Sequence, residues 1–294
     1  INVVTKKPQL VDAHSISAFG TSFGGGGEQI DLTGPIGTNG LAYRVIADKQ
    51  NYDYWRNFGS IDQSVIAPSL AWYGDDTTVS AAYEHMEYSV PFDRGTQINT
   101  TTGKVLDIPR KRRLDEPFNS MEGRSDLYRF EADHQFDDNW KGHLGYSYNR
   151  ETYDASQVRV TAVNPATGTL TRSIDGTGNA LSTDRFTTLT LSGDVEWAGM
   201  KHDLLFGADD EYRKIYRGEL IRQKSSTTFS YQNPVYGQEP EGTLVSAPDS
   251  NQLDILRSDS LFVQDSIHLT DQWIFLAGAR YQLFDQQAGK GIPF

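Results

Sequence analysis

Hydrophobic and polar residues alternate along most of this chain, in runs that are separated by polar turns. The clearest example is the segment 261–284, LFVQDSIHLTDQWIFLAGARYQLF. Its second half has an apolar or aromatic residue at every second position, which is the period of a pleated strand: Trp273, Phe275, Ala277, Ala279, Tyr281 and Leu283. Its first half alternates in the same way, with Asp265 as an exception. Residues 270–272 are polar, so the segment is predicted to be a β-hairpin with a tight turn.

The same unit recurs along the chain and predicts about eleven strands. Short polar turns alternate with longer connections, and the longest are expected at about 89–124, 150–184 and 215–257. The second of these contains a turn signal of its own, NPATG at 164–168. Pro68 lies within a predicted strand, where its missing N–H predicts a local irregularity in the sheet.

The two faces of the predicted strands differ in chemistry. One face is apolar and aromatic, whereas the other carries many charges, among them Arg44, Arg129, Glu131, Asp209 and Arg280. So many charges cannot fill a dry core without partners, so a soluble β-sandwich or propeller is disfavoured. The pattern indicates an all-β fold, a transmembrane antiparallel β-barrel whose polar face lines a wet or plugged lumen.

Tryptophans cluster beside the short turns. Trp72, Trp140, Trp197 and Trp273 lie within a few residues of such turns, whereas Trp55 lies in a loop at the opposite end. An indole keeps its apolar body near lipid and its N–H near the headgroups, so a row of them is typical of a membrane interface. Short turns on one side and long loops on the other are typical of outer-membrane barrels.

Composition agrees with a barrel and excludes several other classes. The 294 residues contain no run of eighteen apolar residues, so no transmembrane helix is expected. Aromatic residues make up 12% of the chain, as interfacial girdles require. The net charge of −12 argues against a nucleic-acid partner, and the absence of cysteine excludes disulfides and thiolate metal sites.

Catalytic and metal-binding signatures are not found in the sequence. The six histidines are scattered and lack metal-ligand spacing, so no metal site is predicted. Asp209, Asp210 and Glu211 are consecutive on a predicted strand, so their side chains alternate between faces and cannot converge as a catalytic set. There is no nucleophile elbow, and we predict that the protein is not an enzyme and needs no cofactor. A soluble all-β enzyme is kept as an alternative hypothesis.

Several segments resemble, in order, the TonB-dependent outer-membrane siderophore receptors. INVVTKKP at 1–8 resembles the end of their plug domain, and the segment 261–282 resembles one of their barrel hairpins. Further resemblances are carried by YRVIADKQNY at 43–52, APSLAWYGDDTTVSAAYEHMEY at 67–88, VPFDRGTQI at 90–98 and IPRKRRLDEPFN at 108–119. FSYQNPVYG at 229–237 resembles a loop of the ferrichrome/hydroxamate branch.

The resemblance implies an architecture and a cell location. The intact receptor would have about twenty-two strands and an N-terminal plug. Residues 1–13 would be the end of the plug domain and the plug–barrel junction, and residues 14–294 the first half of the barrel. Because a half-barrel would expose open strand edges in lipid, we expect the chain to be one part of a larger molecule. The location would be the bacterial outer membrane, reached by a precursor with a signal peptide.

The resemblance also implies a function and partners. The receptor would bind a ferric siderophore in its extracellular loops and import it with energy from the TonB complex, which it would contact through a plug region outside this sequence. Outer-membrane lipid and lipopolysaccharide would be further partners. The alternative is a passive porin or other channel.

Loop aromatic residues are the candidate ligand contacts, because they offer area together with a polar group to a partly apolar chelate. The candidates are Phe92, Tyr153, Tyr54, Trp55, Tyr216, Tyr231 and Tyr236, together with Arg94. Phe92 and Tyr153 rank first, since each lies just beyond a predicted strand end. The alternative is that these aromatic residues pack the loops against one another. The basic run at 110–113 is interpreted as a solvated loop tip, with attraction of an anionic chelate or contact with lipopolysaccharide phosphates as the functional alternatives.

Overall fold

The computed structural model describes residues 5–99 and 101–291, which form one antiparallel sheet of twelve strands. The strands are β1 (Ala13–Gly20), β2 (Gly25–Ile36), β3 (Leu41–Asp53), β4 (Ser60–Tyr73), β5 (Thr77–Pro91), β6 (Ser120–Gln135), β7 (Trp140–Asn164), β8 (Thr169–Trp197), β9 (Met200–Lys224), β10 (Phe229–Ser230), β11 (Gln252–Thr270) and β12 (Trp273–Gly289). All but β10 follow one another in chain order across the sheet. The predicted all-β fold of about eleven strands is therefore confirmed, and the two-residue β10 is an addition that pairs with β8.

The hairpin predicted at 261–284 is formed by β11 and β12. Leu261 pairs with Tyr281, and Ile267 pairs with Phe275, so the apolar residues of the two strands share one face. Arg280 lies on the other face, where its Nη2 donates to Asp209 Oδ1 at 2.8 Å and to Ser260 Oγ at 2.6 Å. The predicted placement of Arg280 on the polar face is confirmed.

Pro68 interrupts one of its two ladders. The β4–β5 ladder runs through Ile66 and His85, and resumes at Ser69 and Ala82 without a change of register. On the other side Pro68 remains paired with Val45 of β3. The irregularity predicted from the missing N–H is therefore confirmed, and it lies on the β5 side of the strand.

The longest connections differ from the prediction in one case. Residues 92–119 and 225–251 connect strands as long segments that are largely irregular, near the predicted 89–124 and 215–257. The segment 150–184, expected as a long loop, is instead a β-hairpin in which β7 and β8 stay paired up to Asn164 and Thr169. That prediction of a loop was wrong because a segment rich in polar side chains is compatible with a strand ladder as well as with an exposed loop. The turn signal at 164–168 is confirmed as the hairpin turn.

The two faces of the sheet keep the chemistry that the sequence predicted. On the apolar face large side chains are exposed, including Leu70 at 49%, Leu189 at 57% and Leu261 at 64%. A soluble sheet would bury such a face, so this one requires an apolar environment. No helix among the described residues is long and apolar enough to span a membrane.

Four tryptophans mark one end of the sheet, called here the short-turn end. Trp72 is the penultimate residue of β4, beside the turn at 74–76, and Trp273 begins β12 directly after the turn at 271–272. Trp140 begins β7 and Trp197 ends β8, at the same end. Trp197 and Trp273 are 72% and 70% exposed. Their common level is that of an interfacial row. The opposite end, which carries the segments 54–59, 92–119, 165–168 and 225–251, is called the loop end.

Asp265, the exception on the apolar face of β11, has a partner. Its Oδ2 lies 2.8 Å from Nδ1 of His202 on the neighbouring strand β9. His202 is only 3% exposed, and the ring of Trp197 lies 5.6 Å from its own. A carboxylate on this face is therefore tolerated because it is paired and shielded at the tryptophan row.

The segment before β1 lies on the polar face. Lys6 Nζ contacts Asp31 Oδ2 at 2.7 Å, and Lys7 Nζ contacts Glu131 Oε2 at 2.7 Å. Tyr73 donates its hydroxyl to the carbonyl of Pro8 at 2.6 Å. The part of the predicted plug–barrel junction at residues 1–4 lies outside the described residues, and the remainder runs across the face that would line a lumen.

Candidate functional site

The segment 92–119 is held at the loop end by buried charged side chains. Arg113 is fully buried, and its Nη2 donates to Asp115 Oδ2 at 2.6 Å. Its guanidinium also lies over the Phe58 ring at 4.5 Å. Asn119 joins this group, since its Nδ2 donates to Asp115 and to the Val158 carbonyl, both at 3.2 Å. One arginine and one asparagine thus link three segments of the chain.

A second buried pair extends the network to the segment 225–251. Glu116 accepts a hydrogen bond from Arg172 Nη2 at 2.7 Å and from the Gly237 amide at 2.6 Å. Both side chains are at most 1% exposed, and the Arg172 guanidinium lies 4.0 Å from the Phe229 ring centre. Because breaking one partner of such a pair leaves a buried charge uncompensated, the network fixes how these segments sit on the sheet.

The interpretation of residues 110–113 as a solvated loop tip is therefore wrong for Arg112 and Arg113, whereas Arg110 and Lys111 are exposed. Arg113 is inside the loop core, and Arg112 donates to the carbonyls of Tyr231 and Gln232, both at 2.8 Å. Lys111 Nζ lies 5.5 Å from the Phe23 ring centre. A run of cations does not reveal which members have acidic partners, and the nearby Asp115 and Glu116 are the signal that sequence reasoning missed.

A cavity of about 620 Å³, called here the Trp55 cavity, opens beside this network. It is lined by Tyr54, Trp55, Arg56, Asp93, Gly95, Thr96, Val105 and Arg110. Trp55 is 42% exposed and its ring lies 6.1 Å from that of Tyr54. The cavity therefore brings together two of the predicted site residues with a cation, Arg110, that the prediction did not include.

Asp93 organises the wall of the Trp55 cavity. It accepts from Arg56 Nη1 at 3.0 Å, from the Tyr54 hydroxyl at 3.1 Å and from the Gly95 amide at 2.7 Å. Burial alone would raise the pKa of Asp93, but the Gly95 amide and Arg56 hold it below its usual value. Burial raises the pKa of Tyr54. The wall is thus an ionised carboxylate compensated by arginine, with a neutral phenol fixed against it.

Phe92 and Arg94, which flank Asp93 in the chain, contact each other. The Arg94 guanidinium lies over the Phe92 ring at 5.1 Å, and its Nε donates to Gln157 Oε1 at 2.6 Å. Phe92 is half-buried and Arg94 is exposed. Gln157, on β7, was not predicted, and nothing in its local sequence indicates the contact.

Tyr153 and Tyr216 line a different cavity, of about 880 Å³. Its other lining side chains are mostly polar or charged and include Lys49, Glu87 and Arg124. By alternation along β9, Tyr216 shares the face of Ala208, which is the continuation of the apolar face. Tyr216 is held by its hydroxyl, which donates to Asn251 Oδ1 at 2.6 Å.

Tyr231 and Tyr236 pack the loops against one another. Tyr231 is 6% exposed in a core with Leu106, Leu114, Leu170 and Phe229, and Tyr236 packs against that core. Tyr236 donates its hydroxyl to the Arg113 carbonyl at 2.8 Å and meets the Phe58 ring edge-on at 5.0 Å. The predicted candidates therefore divide into a cavity pair, a neighbouring arginine–phenylalanine pair, a second cavity and a packing pair.

Metal ligands do not cluster in the part of the chain that the structure describes. No group of three or more His, Asp or Glu residues within 5–99 and 101–291 is placed to hold a metal ion. The Trp55 cavity offers aromatic surface, an arginine and an oriented carboxylate. Such a lining suits recognition of a preassembled, partly apolar molecule.

The single antiparallel sheet, with one exposed apolar face and one charged face, defines a segment of an outer-membrane β-barrel. A family model described as "TonB dependent receptor-like, beta-barrel" matches residues 54–293. The chain belongs to this family, whose members are outer-membrane proteins.

Similar proteins are named as receptors for metal complexes. The chain is 26% identical over 293 residues to the metal-pseudopaline receptor CntO of Pseudomonas aeruginosa, covering 97% of this chain and 40% of that protein. It is 24% identical to the ferrioxamine receptor of Yersinia enterocolitica, with 96% and 40% covered. It thus spans about two-fifths of the length of these relatives.

Solved structures show the same fold. The ferric preacinetobactin receptor BauA of Acinetobacter baumannii superposes with a TM-score of 0.83 at 17% identity, over 97% of this chain and 43% of that one. The ferric-catecholate receptor Fiu of E. coli, in its open form, gives 0.80 at 14% identity, over 97% and 46%. The relatives and the fold are those of transport receptors and not of enzymes.

Proposed function

We propose that this chain forms part of a receptor that captures a metal chelate of the siderophore type at its loop end and imports it with energy from the TonB complex. Support comes from the family and from relatives that are named as receptors for such chelates. The observation that carries the proposal is the Trp55 cavity at the loop end, which is lined by the exposed indole of Trp55, the fixed phenol of Tyr54 and the side chain of Arg110.

The residues have separate roles in this proposal. Tyr54 and Trp55 provide aromatic area for the organic part of the chelate. Arg110, whose side chain makes no hydrogen bond or ion pair in the described structure, attracts an anionic chelate. Arg94, which lies over the Phe92 ring, would be a further contact for the chelate. Arg56 and Asp93 orient the cavity and are not proposed as contacts.

A fluorescence experiment tests this assignment, because Trp55 is isolated from the other four tryptophans. β4 alone places Trp72 about 40 Å from Trp55, at ~3.3 Å per residue. A panel of ferric hydroxamates, catecholates and carboxylates is titrated into the intact receptor in detergent. A bound ferric chelate should quench Trp55 emission, and Trp55→Phe should lose that quenching while still binding chelate in calorimetry.

Matched variants distinguish the effect of a charge in the Trp55 cavity from the effect of a charge elsewhere in the same loop segment. Arg110→Gln should weaken binding of anionic chelates about tenfold, the effect of one charge-assisted contact. Lys104→Gln removes a charge from the same segment outside the cavity and should have no effect. If Arg110→Gln and Trp55→Phe both bind the chelates with unchanged affinity, and the chelate still quenches the emission of Trp55→Phe, the ligand binds elsewhere.

A further inference from the structure

The apolar face of β8, β9, β11 and β12 changes character in three successive rows toward the loop end. The first row is apolar and consists of Leu189, Ala208, Leu261 and Tyr281. The second row is Thr187, Asp210, Asp259 and Leu283, and the third is Arg185, Tyr212, Arg257 and Asp285. Rows two residues apart on a strand are about 7 Å apart, so the change from the first row to the third takes place over about 14 Å.

An apolar groove occupies the first two rows. Ala208 is small and lies between the larger Leu189 and Leu261, which leaves a cavity of about 420 Å³ bordered also by Tyr281 and Leu283. Leu261 and Tyr281 are 64% and 67% exposed. A groove of this lining, on the lipid-facing side of an outer-membrane barrel, is complementary to a hydrocarbon chain.

A charged cup adjoins the groove. Its cavity of about 400 Å³ is lined by Arg185, Asp210, Tyr212, Arg257 and Asp259. Asp210 and Asp259 also border the groove, so the two spaces are continuous. The guanidinium carbons of Arg185 and Arg257 lie 5.8 Å and 5.6 Å from the Tyr212 ring centre, one from each neighbouring strand.

The charges of the cup are mixed. Arg185 Nη2 contacts Asp210 Oδ1 at 3.0 Å, whereas Asp259 is directly opposite Asp210 and adds a second carboxylate. Asp285 lies opposite Arg257. Guanidinium groups recognise phosphate by paired hydrogen bonds, and carboxylates attract an ammonium group. A headgroup with phosphate alone would meet the carboxylates as well, so the cup favours a headgroup that has both signs of charge.

We propose that the groove and the cup together form a specific site for one acyl lipid whose headgroup carries both a phosphate and a protonated amine. The acyl chain lies over Ala208, the phosphate lies between Arg185 and Arg257, and the amine faces Asp210 and Asp259. The site is on the membrane-facing side of the barrel, separate from the Trp55 cavity, and does not depend on what the receptor transports.

Lipid titration followed by native mass spectrometry of the intact receptor in detergent tests the site. The probes are phosphatidylethanolamine, phosphatidylglycerol and phosphatidylcholine with identical acyl chains, and free phosphoethanolamine. Phosphatidylethanolamine should bind about tenfold more tightly than phosphatidylglycerol, the effect of one added charge-assisted contact. Free phosphoethanolamine should bind far more weakly than the lipid, because it lacks the chain that fills the groove.

Variants test which side chains contact the amine of the headgroup and which contact its phosphate. Asp210→Asn with Asp259→Asn should remove the preference for phosphatidylethanolamine, and Arg257→Gln should weaken binding of every phospholipid. Arg213→Gln, a change of the same kind on the opposite face of β9, should have no effect. Ala208→Leu, which fills the groove and leaves the charges in place, should weaken lipid binding without changing headgroup preference.

Three results would overturn the proposal. Equal binding of phosphatidylethanolamine and phosphatidylglycerol would remove the role given to the carboxylates. Equal losses in Arg257→Gln and Arg213→Gln would show nonspecific charge effects. Saturable binding of purified lipopolysaccharide, with none of phosphatidylethanolamine, would assign the surface to a different occupant. Electrophoretic migration of each variant with and without heating checks that the barrel is folded.

Discussion

Asp115 carries an electrostatic cost inside the loop core. Burial raises its pKa to about 6 from an ordinary value of 3.8, even though Arg113 lies 2.6 Å away. The folded loop therefore binds this proton more tightly than the unfolded loop does. The contribution of Asp115 to the free energy of unfolding falls as the pH rises from about 4 to about 6, by ~1–3 kcal/mol.

Amide hydrogen exchange of residues 92–119 measures this effect. At each pH, the protection of the wild type is compared with that of Asp115→Asn, so that the intrinsic pH dependence of exchange cancels. Relative protection of the wild type should decrease between about pH 4 and about pH 6 and then level off. Asp107→Asn removes an exposed carboxylate of the same segment and should show no such trend. A rising curve would mean that the pKa of Asp115 is lowered in the fold.

The paired hairpin of β7 and β8 makes a prediction at the scale of elements. Its ladder continues from Trp140 and Gly193 to Asn164 and Thr169, with irregularities near Ala155 and Ala162. Backbone amides in such a ladder are protected from exchange, unlike those of an irregular loop. Residues 169–177 should therefore exchange as slowly as the loop-end half of β9, and the segment 101–107 much faster. Rapid exchange at 169–177 would support the loop expected from the sequence.

The same hairpin shows where prediction from sequence works and where it ends. Strand alternation was readable wherever one face meets an apolar environment, as in β6, β11 and β12, because the side-chain period and the environment agree. Beyond that zone the face of β8 that packs under the loops buries Arg172 between Leu170 and Ile174, so apolar–polar alternation is interrupted although the ladder continues. Sequence correctly indicated the turn at 164–168, since turn residues act locally.

Site residues were harder to predict than strands, for the same physical reason. Tyr54 and Trp55 were recognisable as loop aromatics, and the structure brings them into one cavity. The burial of Tyr231 and of Arg113 depends on partners more than fifty residues away, such as Leu170 and Phe58. Such contacts leave no local pattern, so an exposed aromatic residue and a packed one look alike in the sequence.

At the scale of the whole molecule, the described sheet has two edges. β1 pairs only with β2, and β12 pairs only with β11, so each leaves one row of backbone N–H and C=O groups without a ladder. In hydrocarbon such groups are costly, and in water they template association. Residues 1–294 expressed alone and refolded into detergent are therefore expected to associate through these edges.

Size-exclusion chromatography with light scattering, run across a range of protein concentrations, tests this expectation. The isolated chain should form dimers or larger species, and the intact receptor should remain monomeric under the same conditions. Ile274→Pro, near the beginning of the edge strand β12, should shift the isolated chain toward the monomer because it removes a donor and disfavours pairing. Ile274→Leu retains the donor and is the matched control. A stable monomer that migrates differently with and without heating would mean that β1 and β12 pair with each other and close a small barrel.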